Sequence, residues 1–118
     1  MDRAGADAPL STMLLALAAM HCRPGAPRLA ADELDAHMST LKGWTLAGDR
    51  IEKTFPFASY DETIAFVNAL AWIARREDHH PDLDVHFDRC VVRYATHSAG
   101  GVTINDAICA AKTERLFA

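Results

Sequence analysis

Three histidines, His79, His80 and His97, lie where the chain is expected to change structure. His79 and His80 directly precede Pro81, which disfavours helical geometry at His80, so a helix reaching this point should end there. His97 follows a run of β-forming residues and precedes a glycine pair. Ends of helices and strands that open onto loops are where catalytic groups often collect. Because the unperturbed pKa of histidine is about 6.5, imidazoles around one cavity could divide general acid and base roles.

Each of these residues also has a purely structural interpretation. A histidine pair at a helix C-terminus can complement the helix dipole and bond the last carbonyls. Asp106 is the fourth residue of a T-x-x-D pattern that begins at Thr103, so it could serve only as a helix cap. Trp44 fits a core aromatic as well as a surface for ring stacking. The residues taken one at a time leave both interpretations open.

Metal binding is a weaker alternative. Five nitrogen and oxygen donors lie close together in the sequence: His79, His80, Asp82, Asp84 and His86. No H-x3-H pattern or cysteine pair accompanies them, so the sequence predicts no metal site. His86 is expected to be a solvated surface residue, and His21 and His37 have no neighbours that suggest chemistry.

The composition is that of one ordinary globular domain: 118 residues, 50% hydrophobic and 24% charged. A net charge of −4 argues against nucleic acid and against an acidic membrane surface as partners. The apolar run 13–20 is too short to span a bilayer, which needs about 20 residues. Cys22, Cys90 and Cys109 form no regular pattern, which indicates free thiols in a cytoplasmic protein.

Residues 1–28 are expected to form a poorly ordered N-terminal extension, and residues 29–118 the folded domain. The reason is the stretch 23–28, in which two prolines and a glycine interrupt any regular element. Met13 or Met20 is an alternative start of the native chain.

The first half of the domain reads as a helix and a hairpin. Leu34, Met38 and Leu41 recur at helical spacing, and Gly43 is a plausible stop. Residues 44–47 and 50–57 then flank Gly48-Asp49, a two-residue turn typical of a β-hairpin.

The second half repeats this order. Ser59 begins an S-x-x-E capping box, and a long helix is predicted from there to about Arg76. Two strands follow, over 83–87 and 90–97, and a closing helix begins after Thr103. The order α-β-β-α-β-β-α predicts an α+β fold, a four-stranded antiparallel sheet with helices packed on one face. Exposed sheet edges predict pairing with another subunit.

Taken together, these motifs resemble the pterin-4a-carbinolamine dehydratases. The resemblance covers about residues 29–116 and rests on these matches: Gly43-Trp44, Phe55-Pro56-Phe57, Tyr60, Ile64 to Asn68, Asp78 to Leu83, Val85, Phe87, Thr96-His97, Gly100 to Thr103 and Asp106. His79, His80, Pro81, Phe87, His97 and Asp106 meet the family's signature at its intervals.

The resemblance implies a cofactor-free enzyme that forms homodimers or homotetramers and acts on a pterin. Such enzymes expel water from 4a-hydroxytetrahydropterin and give quinonoid dihydropterin, which is recycled for aromatic amino-acid hydroxylases. It implies that His79, His80 and His97 are catalytic, one protonating the departing hydroxyl and another taking the proton lost from the ring. It also implies that four further residues contact or shape the substrate site: Trp44, Asp106, Thr96 and Pro81.

One position departs from the family's pattern. Four residues before the first histidine, where the family usually has a glutamate that helps hold the pterin, this chain has Arg75. Glu77 cannot replace it, because two residues along a helix correspond to about 200° around the axis. The reversal of charge bears on substrate binding more than on proton transfer. It also suits the alternative hypothesis, a non-catalytic dimerisation module of the same fold.

Overall fold

The computed structural model describes residues 10–117. Its helices and strands follow one another in this order: α1 Thr12–Ala18, α2 Ala31–Thr40, β1 Thr45–Ala47, β2 Arg50–Pro56, α3 Tyr60–Glu77, β3 Asp82–Val85, β4 Arg89–Tyr94, a single 3-10 turn His97–Ala99 and α4 Ile104–Arg115. The four strands form one antiparallel sheet in the order β1-β2-β4-β3. The predicted α+β fold is confirmed, with α1 as an additional helix before it.

One face of the sheet carries the hydrophobic core. Alternate residues of β2 and β4 point into it, so that Ile51 lies opposite Tyr94 and Phe55 opposite Cys90, all of them buried. Apolar residues of α3 and α4 cover this face. The opposite face is polar: there Arg93 of β4 makes ion pairs with strands on both sides. This alternation is what a sheet with one solvated face requires.

Helix α3 places the histidine pair at its end. Ser59 caps its first turn by accepting the backbone N–H of Glu62 at 3.3 Å. The helix ends at Glu77, and Asp78 takes a left-handed conformation with φ 50°. The backbone N–H of His79 still donates to the Ala74 carbonyl at 3.2 Å, so the chain turns tightly here. The next strand therefore starts at Asp82, directly beyond Pro81.

The N-terminal region differs from the expectation of loose order for residues 1–28. Residues 1–9 lie outside the described part of the chain, but residues 10–28 pack onto the domain. Helix α1 lies against α4, where Leu14 and Leu17 enter the core with 5% of their surface exposed. Lys112 of α4 donates to the carbonyl of Ala18 at the end of α1. Tertiary contacts with α4 order a segment that is too short and too interrupted to be stable alone.

Two strand ends also differ from the sequence-based expectation. The strand predicted over 83–87 ends at Val85, and Phe87 is 68% exposed, with its ring stacked on Tyr60. The strand predicted over 90–97 ends at Tyr94, and His97 begins the 3-10 turn. A backbone bridge between Thr96 and Gly101 closes this loop, which prevents the strand from continuing.

The packing of α1 can be tested with two leucines of this helix, one buried and one exposed. We expect Leu17→Ala to lower the free energy of unfolding by about 2–4 kcal/mol, because it removes buried methyl groups and leaves a cavity. Leu15→Ala is the matched control on the same helix: its side chain is 42% exposed, so we expect a change within about 0.5 kcal/mol. Urea unfolding followed by circular dichroism measures both. Equal effects of the two substitutions would contradict the packing of α1.

Within residues 10–117, the helices fall short of the length and apolar character that crossing a membrane requires.

Candidate active site

The closest contact at the predicted site joins a histidine to a buried carboxylate. His79 Nε2 lies 2.6 Å from Asp106 Oδ1, with 12% of the histidine side chain and none of the aspartate side chain exposed. His79 follows the end of α3, and Asp106 lies in the first turn of α4. The fold therefore joins two residues that are 27 positions apart, and the histidine side chain bonds to Asp106 while its backbone N–H serves the helix end.

The second oxygen of Asp106 anchors the carboxylate to its own helix. Oδ2 accepts the backbone N–H of Thr103 at 2.9 Å, which completes a capping box at the start of α4. It also accepts the hydroxyl of Thr96 at 2.8 Å. The Thr103 hydroxyl in turn lies 2.8 Å from the Thr96 hydroxyl oxygen. Asp106 is thus both a helix cap and a partner of His79, so the two interpretations of this residue do not exclude each other.

These hydrogen bonds assign the tautomer of His79. An ionised carboxylate only accepts hydrogen bonds, so His79 Nε2 carries the hydrogen in the contact with Asp106. Within residues 10–117, His79 Nδ1 has no hydrogen-bond partner. The imidazole also stacks on Tyr94, with the ring planes 10° apart. Burial raises the pKa of the Tyr94 hydroxyl, which therefore stays neutral beside the histidine. The ring is held in place with one nitrogen free.

His79 lines a cavity of about 490 Å³ at the ends of α3 and β4. The other lining residues come from four parts of the chain: 22–26, 76–78, the loop residues Thr96 and Ser98, and Asn105. A cavity of this volume lies within the range of small-molecule sites, which is about 300–1,000 Å³. Two of its lining residues, Arg23 and Arg76, are exposed to solvent.

The other two predicted catalytic histidines are not among the described residues that line this cavity. His80 follows His79 directly and is exposed, and Pro81 beside it is half-buried. His97 is exposed and lies between Thr96 and Ser98, which both line the cavity. The described residues give neither imidazole a hydrogen-bond partner. The structure therefore links His79 to Asp106 and Asp106 to Thr96, whereas His80 and His97 are exposed and have no hydrogen-bond partner within residues 10–117.

Trp44, expected to line the site, is a buried residue of the hydrophobic core. Only 5% of its surface is exposed, and its ring packs against Phe55 and Tyr94. Its indole N–H donates to Glu114 Oε2 at 3.0 Å. Trp44 directly precedes the edge strand β1, and its ring reaches past it to Phe55 of β2 and Tyr94 of β4. Trp44 is not among the described residues that line the His79 cavity.

The position of Trp44 leads to a prediction. We expect Trp44→Phe to lower the free energy of unfolding by about 1–2 kcal/mol through loss of the indole hydrogen bond and of buried area. The KM for a substrate bound in the His79 cavity should stay within about twofold of the wild type, since the substitution removes no contact with the substrate. Chemical unfolding and steady-state kinetics measure the two effects. A large rise in KM without loss of stability would place Trp44 in the substrate site.

Arg75 also points away from the cavity wall. Its guanidinium lies over the exposed ring of Trp72, 5.5 Å from the centroid, one turn of α3 from the helix end. The arginine that lines the cavity is its neighbour Arg76. The charge reversal noted in the sequence is thus on the surface of α3.

Sequence reasoning set Glu77 aside and did not single out Asn105. Glu77 is the last residue of α3, and its carboxylate accepts the backbone N–H of Cys22 at 2.7 Å and lies 3.0 Å from His21 Nδ1. Asn105 is 6% exposed and bonds both backbone groups of Arg23. Both bind the N-terminal segment, 55 to 82 positions away in the chain. The only signal for them in the sequence was their position: Glu77 lies two residues before His79, and Asn105 lies directly before Asp106.

Glu77 ionises more readily than an ordinary glutamate. Burial on its own would raise the pKa, but the hydrogen bonds from the Cys22 N–H and from His21, together with the positive charge of Lys112, lower it below 4.5. A carboxylate whose folded-state pKa is depressed stabilises the fold above its unfolded pKa and loses this contribution as pH falls through the folded value.

We therefore expect Glu77→Gln to destabilise the protein by about 1–2 kcal/mol at pH 7 and by less below pH 4.5. Glu62→Gln, the same change earlier on α3, is the control and should show no such dependence, because within the described residues its side chain has no ion pair. Urea unfolding at pH 7 and at pH 4 measures the difference. A constant difference at both pH values would contradict the depressed pKa.

Among residues 10–117, no three His, Cys, Asp or Glu side chains are grouped closely enough to hold a metal ion. One donor considered from the sequence, Asp84, is instead paired with Arg93 at 2.7 Å, which lowers the pKa of that carboxyl through a hydrogen bond and the positive charge.

Comparison with known proteins identifies the family of this fold and site. The model of the pterin 4 alpha carbinolamine dehydratase family matches residues 27–116. The chain belongs to this family. A protein of Chromobacterium violaceum with the provisional name pterin-4-alpha-carbinolamine dehydratase is 55% identical over 100 residues, which are 83% of this chain and 93% of that protein. A protein of Xanthomonas oryzae with the same provisional name is 53% identical over 111 residues, covering 90% and 94%.

A solved structure agrees with this family membership. The crystal structure of a transcriptional coactivator/pterin dehydratase from Brucella melitensis superposes with a TM-score of 0.74 and 30% identity. The match covers 77% of this chain and 99% of that one. The family predicted from the sequence, a family of lyases, is confirmed, and so is the fold.

Proposed function

We propose that this protein is a dehydratase that converts 4a-hydroxytetrahydropterin to quinonoid dihydropterin and water by histidine acid and base catalysis, without a cofactor. The observation that carries the proposal is the hydrogen bond of His79 to the fully buried Asp106, at the edge of a cavity large enough for a pterin. Family membership supplies the substrate class.

The reaction needs two proton movements. The C4a–O bond breaks as the N5 lone pair forms a C=N bond, the hydroxyl leaves as water after it receives a proton, and the ring loses one proton. His79 is suited to one of these steps because Asp106 holds Nε2–H and leaves Nδ1 available. His80 and His97 are the candidates for the other, because both are exposed, follow a cavity-lining residue in the chain, and are unpaired within residues 10–117.

The substrate-binding residues in this proposal differ in their roles. Asp106 holds the imidazole of His79, and Thr96 donates to Asp106 and lines the cavity. Pro81 ends the turn that carries both histidines, so its contribution is to orient them. Trp44 supports the site only through its packing on Tyr94.

The turnover assay tests this function directly. The protein is supplied with 4a-hydroxytetrahydropterin, generated in place by an aromatic amino-acid hydroxylase, and quinonoid product is followed by absorbance. Acceleration over the buffer rate supports the proposal. Folded protein that gives no acceleration would refute it, and Arg75→Glu in parallel shows whether the family's usual charge at this position changes KM.

A second candidate is a non-catalytic binding module in which this fold serves dimerisation. The observation in its favour is a pair of exposed, stacked aromatics, Tyr60 and Phe87, next to the edge strand β3. We propose a homodimer or homotetramer that pairs through such an edge, since unpaired strand edges are usually covered. Light scattering measures the oligomer, and a stable oligomer with no turnover would favour the binding module.

We also propose a cytoplasmic location. Its support is the three cysteines, which are unpaired in the structure although Cys22 and Cys109 are in contact. Fractionation of the cells that produce the protein tests this location.

A further inference from the structure

We propose that Asn105 and Glu77 are positioning residues that hold residues 22–26 as one wall of the substrate cavity, so that substrate affinity depends on this segment. The inference rests on the proposed function and extends it to residues that precede the range matched by the family model, 27–116. It assigns a binding role to a stretch whose prolines and glycine suggested only disorder.

Asn105 holds the segment through both backbone groups of one residue. Its Oδ1 accepts the N–H of Arg23 at 3.1 Å, and its Nδ2 donates to the carbonyl of Arg23 at 2.7 Å. Two opposed hydrogen bonds from one planar amide fix the direction of the chain as well as its position. Asn105 is buried, so these bonds compete little with water. The side chain of Arg23 takes no part and remains exposed.

Glu77 and the cysteines hold the preceding residue. The carboxylate of Glu77 accepts the N–H of Cys22 at 2.7 Å, and 4% of this side chain is exposed. Cys22 Sγ lies 3.6 Å from the carbonyl oxygen of Asn105 and 3.5 Å from Cys109 Sγ. The end of α3 therefore fixes Cys22, and the start of α4 fixes the next residue, Arg23.

The same helix ends carry the His79–Asp106 pair. Glu77 lies two residues before His79, and Asn105 lies directly before Asp106. The wall therefore has a fixed position relative to the His79–Asp106 pair, and a bound molecule would contact both the wall and the pair. Beyond Arg23, the segment continues to Ala26, which is buried, with 5% of its surface exposed. A wall of this kind adds contact area to a flat ligand and excludes water, which affects binding more than proton transfer.

The test separates KM from kcat in the full-length protein with 4a-hydroxytetrahydropterin as substrate. We expect Asn105→Ala to raise KM about tenfold and to change kcat by less than about threefold, because ligand contacts are lost while His79 and Asp106 stay. Asn105→Asp keeps the acceptor for the Arg23 N–H and loses the donor to the Arg23 carbonyl. Its KM should therefore lie between those of the wild type and Asn105→Ala. Asn68→Ala, at an exposed position of α3, is the matched control and should leave KM unchanged.

Calorimetric binding of tetrahydrobiopterin, which lacks the leaving hydroxyl, gives a second readout that needs no turnover. Its Kd should rise in parallel with KM in the Asn105 variants. A fall in kcat at constant KM, or an unchanged Kd, would overturn the proposal. If Asn105→Ala does not fold, Asn105→Asp decides by the same criteria. Wild-type protein without turnover would contradict the proposed function only, because the binding experiment still tests the wall.

Discussion

Replacing His79 by alanine should reduce the turnover number for 4a-hydroxytetrahydropterin on the order of 10²-fold or more, which is the range that a positioned general acid or base contributes. The physical reason is that Asp106 fixes the imidazole and its tautomer, so no solvent molecule replaces it with the same geometry. The KM should change less, because His79 is one of many residues that line the cavity. Stopped-flow absorbance of the quinonoid product measures both parameters.

Two further substitutions make the result specific. His79→Gln keeps an N–H that can donate to Asp106 but has no group that titrates near neutrality, so it should fold well and remain as slow as the alanine variant. His86→Ala removes an exposed histidine in the turn after β3 and should leave turnover unchanged. Full activity of folded His79→Gln would show that His79 transfers no proton.

Replacing Asp106 by alanine should lower the free energy of unfolding by about 2–4 kcal/mol, the largest stability effect expected from a polar residue of this protein. The change removes the capping box of α4 and leaves the Thr103 N–H and the Thr96 hydroxyl without their acceptor. Since Asp106 is fully buried, water cannot easily replace the carboxylate. Urea unfolding followed by circular dichroism measures the loss.

Asp106→Asn separates the cap from the support of His79. The amide oxygen can still accept the Thr103 N–H, so most of the stability should remain. Its NH₂ then faces His79 Nε2 and donates where the carboxylate accepted, which favours the other tautomer, and turnover should fall by at least about tenfold. Asp61→Ala, an exposed acid in the first turn of α3, is the stability control and should cost less than about 1 kcal/mol. An Asp106→Ala protein as stable as this control would contradict the role of the carboxylate.

Local signals in the sequence were sufficient for most of the secondary structure. The capping serine Ser59, the Gly48-Asp49 turn and the T-x-x-D start of α4 all act on backbone groups within four residues, and these elements were predicted correctly. The spacing of the histidines, Pro81 and Asp106 also indicated the family. These features depend on neighbours in the chain, so a single sequence contains them.

The features that local patterns did not predict depend instead on contacts between residues far apart in the chain. Whether Trp44 enters the core depends on where β1 lies relative to the aromatic residues of β2 and β4, and the order of residues 10–28 depends on α4, about 80 positions later. The packing of α1 and the hydrogen bonds of Glu77 and Asn105 arise only when distant elements meet. Propensity and periodicity describe short windows, and neither reports such contacts.

The histidine pair shows most clearly what the sequence determines and what only the tertiary structure determines. By itself, the sequence determined that His79 and His80 end a helix and that Asp106 caps another, because proline geometry and capping are local effects. Only the tertiary structure decided that His79 reaches Asp106 while His80 and His97 remain exposed. Adjacent side chains at a helix end point in different directions. Which of them meets the buried carboxylate is determined by the packing of α3 and α4 on the sheet.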